Sequence, residues 1–361
     1  MTNRSPTNAS LLILQFNANG LRNHINELQI ILHSKRIDIA MITETHFTNN
    51  SYFFIPGYKL INTNHPDNTA HGGVAMFIKS SLEFQELPSF RLDYLQSCAL
   101  TIKLNFTPFT IAAIYSSPKH KITTQKLTDY FNTIQQDNFI IGGDYNAKHQ
   151  SWGCRANNPR GLVLNNFVKN NNFTVLAPSG PTYWPTSLRK NPDILDIFVT
   201  KIPNRIHTTT ENLLDLNSDH SSILLTVNTY PPTRSQPPKL FYSHTNKLLF
   251  HNLVQQEIKL NVKLKSIDDI DLAINDLTNC IQTAAWASTN PNELPKVTNL
   301  TPQNIRVIIA EKRRLRAQYQ RTRLPSDKHK YNKLANKLKK ILTKHKLESL
   351  HNHLSNLSNK D

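Results

Sequence analysis

The other predicted elements are arranged around the segment Phe139-Ile140-Ile141-Gly142-Gly143-Asp144-Tyr145-Asn146-Ala147-Lys148-His149. Its three apolar β-forming residues predict a short buried strand, which the two glycines are expected to break. Asp144 and Asn146 then point to the same side if the chain is still extended, because side chains alternate along a strand. An acid beside an amide can hold a water and phosphate oxygens. The alternative is an ordinary turn, in which Asp, Asn and Gly are the commonest residues.

The charge of the chain is unevenly distributed. Of its 361 residues, 38% are hydrophobic and 19% are charged, which is typical of a globular protein with one large core and an appendage. Thr301–Asp361 holds 16 Lys and Arg against 4 Asp and Glu, so this tail carries +12 of the net charge of +17. We therefore expect a polyanionic partner for the tail; the alternative is a solvated helical tail.

The cysteine pattern and the hydropathy exclude several classes of protein. Cys98, Cys154 and Cys280 are widely spaced and form no CxxC pair, so neither a zinc knuckle nor a disulfide framework is expected, in keeping with a reducing compartment. No apolar run has the length of a membrane span, and the polar N-terminus is unlike a signal peptide. We expect a protein made in the cytoplasm that acts in the cytosol or nucleus, with no membrane partner and no small-molecule cofactor.

The first elements predict a βαβ unit. Leu11–Phe16 and Ile37–Ile42 are expected strands, joined by an amphipathic helix that begins near Leu21. The strands of such a unit are parallel, so Asn17 and Glu44 should lie at neighbouring C-terminal strand ends. Further strands are predicted at Gly73–Ile78, Ser97–Leu104, Thr110–Tyr115, Phe173–Leu176, Ile194–Val199, Ile206–Thr210 and Ser222–Val227, and helices at Thr123–Gln136 and Leu162–Asn170.

The domain boundaries follow from composition. Residues 1–228 are predicted to form an α/β domain, and the Pro-rich stretch 229–241 to be a linker. Residues 242–290 are predicted as a helical segment, and 302–361 as a basic connector of two long helices. The pair Asp268-Asp269 falls in a predicted helix rather than a strand, so no polymerase domain is expected within this chain.

Polar residues suited to phosphate chemistry end or flank six separated segments. They are Asn17, Glu44, Tyr115, Asp144 with Asn146, Asp196, and Asp219 with His220. Most of them have a simpler explanation when taken alone, as a helix cap, a loop acid, a core tyrosine or a surface turn. Asp196 differs, because an acid inside an apolar strand needs a partner. Six such residues in one sheet domain are hard to explain as turn chemistry.

Each residue type suits one part of phosphodiester hydrolysis. Glu44 suits Mg²⁺, a hard cation that needs only one or two carboxylates. Asp144 can orient or deprotonate an attacking water. Asn17 and Asn146 can donate to phosphate oxygens without adding negative charge, and the phenol of Tyr115 can donate to developing charge.

His220 is the candidate donor to the pentacoordinate phosphorus. Its ring would be fixed by a carboxylate on the other nitrogen, for which Asp196 is the candidate. Together these residues provide an activated water, stabilisation of the phosphoryl oxygens and help for the leaving oxygen, which are the parts that the hydrolysis needs.

In order and spacing, these motifs resemble the endonuclease/exonuclease/phosphatase superfamily. The resemblance covers Leu11 to Val227 and rests on Phe16–Leu21, Thr43–His46, Gly72–Ala75, Ile114-Tyr115, Gly142–Asn146, Leu195-Asp196 and Ser218–His220. Asp144–His149 with Trp152-Gly153, Pro181–Tyr183 and Asn217–Ser221 further resemble the endonuclease domain of jockey-type non-LTR retrotransposon reverse-transcriptase polyproteins. The basic stretch Ile308–Arg316 is similar to the connector that precedes the polymerase in such elements.

The resemblance implies a fold and an activity. The fold would be a four-layer α/β sandwich of two facing mixed sheets, followed by a helical basic extension. The activity would be nicking of double-stranded DNA with Mg²⁺, or with Mn²⁺ as a substitute, so that a 3′-hydroxyl primes reverse transcription of the element's RNA. The tail could then contact that RNA.

The resemblance also implies roles for individual residues. Glu44, Asn17 and Asp219 would serve the metal, Asp144 would activate water, Asn146 would position the nucleophile, Tyr115 would stabilise charge, and Asp196 would pair with His220. Candidate DNA contacts are Arg22, Thr182 and Tyr183 in the loops and Lys312, Arg313, Arg314 and Arg316 in the basic stretch.

Two other functions compete with this one. The first keeps the fold but changes the substrate, to an abasic site in DNA repair or to a lipid or inositol phosphoester. The segment Pro192–Leu195 lacks the tryptophan that repair enzymes use to wall the abasic pocket, and the basic tail also argues against this alternative. The second is a nucleic-acid-binding module with a decayed nuclease domain, against which stands the complete set of expected catalytic side chains.

Overall fold

The structure, a computed structural model, describes residues 10–134, 136–229, 241, 245–258, 261–262, 264–289 and 301–355. It divides into two compact units. The first comprises Met1–Arg234 and Thr301–Asp361, and the second comprises Ser235–Leu300. Most of the predicted linker 229–241 lies outside the described residues, as does the stretch 290–300 before the predicted basic connector, so those boundaries stay predictions.

Twelve strands and seven helices are described. The strands are β1 (Leu11–Asn17), β2 (Ile39–Thr43), β3 (Tyr58–Thr63), β4 (Val74–Lys79), β5 (Gln85–Leu92), β6 (Leu95–Leu104), β7 (Thr107–Tyr115), β8 (Asn138–Asp144), β9 (Thr174–Leu176), β10 (Asp196–Lys201), β11 (Thr208–Leu213) and β12 (Ser222–Val227). The helices are α1 (Ile25–Ser34), α2 (Thr124–Phe131), α3 (Pro159–Asn170), α4 (Lys247–Glu257), α5 (Ile267–Ala287), α6 (Gln303–Thr322) and α7 (Pro325–Ser355).

The strands form two six-stranded mixed sheets. The first has the order β11-β12-β1-β2-β4-β3, and β1 is parallel to β2, as the βαβ pattern predicts. The second has the order β5-β6-β7-β8-β10-β9, and β7 is parallel to β8. The carboxyl ends of both parallel pairs carry predicted site residues.

Three apolar clusters hold the layers together. One lies between the two sheets and joins residues such as Ile13 and Met41 of the first sheet to Ile111 and Phe198 of the second. Another packs the first sheet against α1, and the third packs the second sheet against α2 and α3. The order is therefore helix, sheet, sheet, helices, which confirms the predicted four-layer sandwich.

The two glycines of β8 do not break that strand, contrary to the sequence expectation. The strand continues to Asp144, and the glycines instead allow close packing. A Cβ on Gly142 would lie 2.4 Å from the Phe198 ring, and one on Gly143 would lie 1.8 Å from the carbonyl oxygen of Ile114. Neither position can accept a side chain without displacing its neighbour.

The basic helices α6 and α7 belong to the first unit. Ile305 of α6 packs with Leu338 and Leu342 of α7, and Ile30 of α1 packs against this cluster. The sequence predicts 302–361 as a separate connector. In the structure, the helices α6 and α7 of this segment cover the α1 side of the sandwich.

In the second unit, the described residues form a pair of helices, α4 and α5. Ser266 caps α5 through a capping box with Asp269, so the Asp268-Asp269 pair lies in a first helical turn, as expected. Within the described residues, no helix has the length and hydropathy to cross a membrane.

Candidate active site

A row of residues crosses the second sheet at the end of β8. Asp144 is the register partner of Tyr115 on the parallel strand β7 and of Asp196 on the antiparallel strand β10. Register partners share a face of a sheet. Tyr115, Asp144 and Asp196 are therefore direct neighbours, although they span 81 positions in the sequence. Asp144 and Asp196 are almost fully buried.

The first sheet contributes Asn17 and Glu44. Asn17 ends β1 and Glu44 follows β2, and the two strands are parallel, so both residues lie at the same sheet edge. The Asn17 Nδ2 donates to Glu44 Oε1 at 3.1 Å and to Asp144 Oδ2 at 2.9 Å. Its Oδ1 accepts the Asn19 backbone N–H at 3.0 Å, which fixes the orientation of the amide. One side chain therefore connects the carboxylates of both sheets.

Asp196 and His220 form the predicted pair. The His220 Nδ1 lies 2.7 Å from Asp196 Oδ2, and the Gln15 Nε2 donates to Asp196 Oδ1 at 2.9 Å. All three side chains are buried. With Nδ1 committed to Asp196, the ring nitrogen that remains for a ligand is Nε2.

Glu44 is the carboxylate of this group that solvent reaches. Its side chain is 23% exposed and lines a cavity of about 470 Å³ together with Tyr115 and His46. Burial raises the pKa of Glu44, but hydrogen bonds from His46, Asn17 and Tyr115 and the charge of His220 outweigh it, so the pKa is lowered. Glu44 is thus ionised and accessible, as a cation ligand must be.

Asp144 and His220 have pKa values displaced in functionally useful directions. Burial, together with the nearby charges of Asp196 and Glu44, raises the pKa of Asp144 to about 7. Burial lowers the pKa of His220, but the carboxylates of Asp196, Asp144 and Asp219 outweigh burial and raise it to about 10. Near neutral pH, Asp144 can accept a proton while His220 carries one.

Tyr115 and Asn146 complete the predicted catalytic set in different ways. The Tyr115 phenol hydrogen-bonds to Glu44, and burial together with the charges of Glu44 and Asp144 raises its pKa, so it stays a donor. Asn146 does not continue an extended chain beside Asp144, which corrects the expectation. Its φ is +49°, and its backbone N–H donates to Asp144 Oδ1 at 2.8 Å, so its backbone orients that carboxylate.

Asp219 and Tyr183 lie around His220. The half-buried Asp219 accepts from the Ser218 hydroxyl at 3.1 Å and from the Asn19 Nδ2 at 3.4 Å. The Tyr183 ring centroid lies 4.9 Å from that of His220. Arg22 is exposed on the turn after β1. The roles expected of Asp219, Tyr183 and Arg22 stay predictions.

Three of the predicted DNA contacts are buried in the protein and cannot meet a DNA backbone. Thr182 is fully buried, and its hydroxyl accepts the backbone N–H groups of Leu195 and Asp196. Lys312 is buried and forms an ion pair with Glu27 of α1 at 2.9 Å, and Arg316 is buried with its guanidinium on backbone carbonyls.

The other two cations of the basic stretch reach solvent. Arg314 pairs with Glu311 of its own helix and is mostly exposed. Arg313 forms an ion pair with Asp215 and is partly exposed.

The sequence patterns miss three residues of the site. Gln15 leaves a signal, since a buried amide in an apolar strand needs a partner. His46 ends the motif Thr43–His46, but the sequence assigns it no role. The third, Arg160 of α3, has a sequence context that indicates no role. Its guanidinium joins the loops after β7 and β8. It donates at 2.6–3.0 Å to the backbone carbonyl oxygens of Ser116, Ser117, His120 and Tyr145.

Two clusters among the described residues have side chains that could hold a metal ion. Asp144, Asp196 and His220 form one, and their ligand atoms lie within 4.8 Å of one another. His65, Asp67 and His71 form the other, in the loop after β3. The second is accounted for by hydrogen bonds of an Asx turn, since Asp67 Oδ1 accepts both from the Thr69 N–H at 2.9 Å and from its hydroxyl at 3.1 Å.

Comparison with known proteins identifies relatives over nearly the whole chain. Residues 109–224 match the family described as endonuclease-reverse transcriptase. The probable RNA-directed DNA polymerase from transposon X-element of Drosophila melanogaster is 32% identical over 96% of this chain and 38% of that protein. The RNA-directed DNA polymerase from mobile element jockey of the same species is 30% identical over 97% of this chain and 38% of that protein. The chain thus spans less than two fifths of the length of these relatives.

Among solved structures, the chain is similar to the endonuclease domain of TRAS1, a telomere-specific non-LTR retrotransposon. The TM-score is 0.51 at 18% identity, over 60% of this chain and 98% of that domain. This likeness establishes the fold. Residues 109–224 therefore carry an endonuclease-reverse transcriptase domain, the homologues of the chain are RNA-directed DNA polymerases of the jockey and X-element retrotransposons, and its two-sheet domain has the endonuclease/exonuclease/phosphatase fold.

Proposed function

We propose that this chain nicks one strand of duplex DNA in the nucleus, in a reaction that requires Mg²⁺, and leaves a 3′-hydroxyl from which the element's RNA can be reverse-transcribed. The observation that carries the proposal is the Asn17 amide, which joins Glu44 to Asp144 beside the Asp196–His220 pair. An accessible carboxylate, a candidate base and a protonated imidazole in one hydrogen-bonded cluster support the proposal, because phosphodiester hydrolysis needs such groups.

The donor set fits a hard divalent cation. Glu44 offers an ionised, partly exposed carboxylate, and the buried carboxylates of Asp144 and Asp196 lie behind it. Mg²⁺ prefers such oxygen ligands and keeps several waters. Glu44 would hold the ion, and Asp219 is the further candidate across the site. When bound, the ion would withdraw charge from the phosphoryl oxygens.

The protein's own groups would then act as follows. Asp144 takes a proton from the attacking water, and the water oxygen forms a bond to phosphorus as the bond from phosphorus to the 3′ oxygen breaks. The 3′ oxygen takes a proton from solvent as it leaves, so the products are a 5′-phosphate and a 3′-hydroxyl. His220 donates through Nε2 to a phosphoryl oxygen, while Asp196 holds its ring through Nδ1. Asn17 keeps Asp144 aligned with Glu44.

A plasmid assay tests this function. We expect the full chain to convert supercoiled plasmid to open circles with Mg²⁺ and to stop when EDTA removes the ion. The nick should be extended by a DNA polymerase without prior phosphatase treatment, because a free 3′-hydroxyl is needed for extension. Plasmid that stays supercoiled after long incubation would overturn the proposal, and cleavage confined to a duplex carrying an abasic site would favour the repair activity instead.

The pH dependence of nicking follows from the two displaced pKa values. A base with a pKa near 7 is active only when deprotonated, so below pH 7 the rate should fall about tenfold per unit. A donor with a pKa near 10 is active only when protonated, so the rate should fall again above pH 10. The measurement is the initial nicking rate from about pH 5 to about pH 10.5 at fixed Mg²⁺ and ionic strength. A rate that is constant between the acid end of this range and neutral pH would contradict the role of Asp144.

A row of exposed lysines on α7 is the proposed track for nucleic acid. Lys333, Lys337, Lys340 and Lys344 recur at helical spacing, and all four are exposed. Lys333, Lys337 and Lys340 line a shallow surface groove on this helix. The buried cations of α6, Lys312 and Arg316, are unavailable for this purpose, whereas all four lysines of the row on α7 are accessible.

Replacing Lys333, Lys337 and Lys340 together by Gln should weaken binding of duplex DNA and reduce its salt dependence. Each lost phosphate contact lowers the slope of log K against log salt by about 0.9, so the expected decrease is about 3. The measurement is duplex affinity by fluorescence anisotropy at about 50–200 mM salt in EDTA, with RNA of equal length as a second arm.

The charge-matched control for the α7 variant is Gln at three lysines that are exposed elsewhere, namely Lys103, Lys169 and Lys201. This control removes the same net charge but leaves the row on α7 intact, so its slope should stay close to that of the wild type. An unchanged slope in the α7 variant would exclude this track.

A further inference from the structure

Helix α6 is anchored to the nuclease domain by a buried ion pair. The Lys312 Nζ lies 2.9 Å from Glu27 Oε2, and neither side chain is more than 9% exposed. A buried charge is tolerated only with a partner, so this contact commits α6 to one position on α1. The apolar contacts of Ile305 and Ile30 support the same position.

One turn further along α6, Arg316 reaches the loop that carries His220. Its side chain is 2% exposed, and its guanidinium donates to the backbone carbonyl of Leu216, to that of Ser218 at 3.1 Å and to that of His220 at 2.9 Å. These carbonyls are the hydrogen-bond acceptors that a charged side chain needs at this depth. The planar fork of arginine can hold three carbonyls in fixed relative positions, which a lysine ammonium on its flexible stem does not reproduce.

Neighbouring residues of both helices hold the same loop. The Tyr331 hydroxyl of α7 donates to Asn217 Oδ1 at 2.7 Å, and the Gln320 Nε2 of α6 donates to the Ser221 hydroxyl at 3.1 Å. Contacts from the C-terminal helices therefore extend along the loop, residues 216–221. Within it, His220 is held twice: by a carboxylate through its ring and by the α6 guanidinium through its own carbonyl.

We infer that Arg316 is a positioning residue for His220 and that α6 and α7 are a working part of the nuclease domain, beyond any role in binding nucleic acid. This inference rests on the proposed function, in which His220 acts on the scissile phosphate. Residues 216–221 precede the second unit in sequence, whereas the helices that hold them, α6 and α7, follow it.

The test compares Arg316→Ala, Arg316→Lys and Arg306→Ala in the full chain. Arg306 lies on the same helix and carries the same charge, but it is exposed and is not among the candidate DNA contacts, so it controls for the lost charge. We expect both Arg316 variants to lower the turnover number about 10- to 100-fold with KM for plasmid DNA changed less than about 3-fold, since small displacements of a catalytic group have effects of this size. Arg306→Ala should change neither by more than about 3-fold.

A double-variant cycle shows whether Arg316 acts through His220. In the His220→Ala background, Arg316→Lys should lower the residual rate less than about 3-fold. A full-rate Arg316→Lys enzyme, or an equal loss in both backgrounds, would overturn the inference. Arg316→Lys retains the charge and serves as the deciding variant if Arg316→Ala does not fold.

Amide hydrogen exchange separates this inference from the proposed function. Exchange in residues 216–221 should speed up at least about 10-fold in Arg316→Lys and stay unchanged in Arg306→Ala, whether or not nicking is detected. Unaltered exchange would overturn the positioning role even in an active enzyme. If exchange in residues 216–221 changes in Arg316→Lys but the wild-type chain does not nick DNA, the contact of Arg316 with the loop is supported and the proposed function is rejected.

Discussion

Replacement of Asp144 by Asn is expected to lower the nicking rate by about 10³-fold, because it removes the base and little else. Asn has the same shape, and its oxygen can still accept a hydrogen bond from the Asn17 amide or from the Asn146 N–H, which contact the two Asp144 oxygens at 2.9 and 2.8 Å. The loss is therefore chemical, and the folded structure should persist. The measurement is the single-turnover rate on supercoiled plasmid with Mg²⁺.

The matched control for this substitution is Asp129→Asn. Asp129 lies exposed on α2 and contacts Gln125 of the same helix, so it makes the same change of charge on the surface. Its rate should stay within about 3-fold of wild type. The Asp144→Asn enzyme should also lose the decline in rate below pH 7, since the group that titrates there is gone. A rate within about tenfold of wild type for Asp144→Asn would exclude Asp144 as the base.

The strands at the sheet centres are predictable from sequence, whereas two of the four edge strands are not. β1, β7 and β8 are largely buried and appear as apolar, β-branched runs. β3 and β5 lie at sheet edges, and no strand is predicted for either. β5 carries Glu86 and Pro88 and is mostly exposed, and both features are tolerated only at an edge.

The site residues at strand ends are predictable because their positions follow from topology. Asn17 and Glu44 end two parallel strands, and Asp196 is an acid in an apolar strand, so each has a local signal. The contacts between them are not predictable in the same way. Register decides that Asp196 faces Asp144 and that Tyr115 faces Asp144, and a single sequence does not specify the register.

The misassigned cations of α6 show a different limit. Ile305, Lys312, Arg316 and Tyr319 recur at spacings of seven, four and three residues, so they share one face of the helix, and all are buried. That periodicity is present in the sequence. The basic composition favours a solvent-facing position for every Lys and Arg of the helix. The positions of Lys312 and Arg316 on its apolar face are therefore easily overlooked. Buried partners such as Glu27 lie 285 residues away and leave no local mark.

The Asp196–His220 pair makes the second large prediction, which is non-additive. His220→Ala should lower the nicking rate by about 10²- to 10³-fold, because it removes a charged donor from a buried site. Asp196→Asn should cost a similar factor at neutral pH. Asp196 makes the largest contribution that raises the pKa of His220 and accepts from its Nδ1, so without the carboxylate the protonated imidazole is less favoured and the ring loses its orientation. His207→Ala, on an exposed histidine, is the control and should leave the rate within about 3-fold.

If Asp196 acts only through His220, the double variant Asp196→Asn/His220→Ala should be no slower than His220→Ala alone. The comparison is made on single-turnover rates at about pH 7.5, with thermal unfolding measured for all three variants, because Asp196 is buried and also accepts from Gln15. A double variant whose loss equals the product of the two single losses would mean that the residues act independently. Asp196 would then contribute through the neighbouring Asp144, whose pKa its charge also raises. The size of the coupling therefore decides which of its two neighbours Asp196 serves.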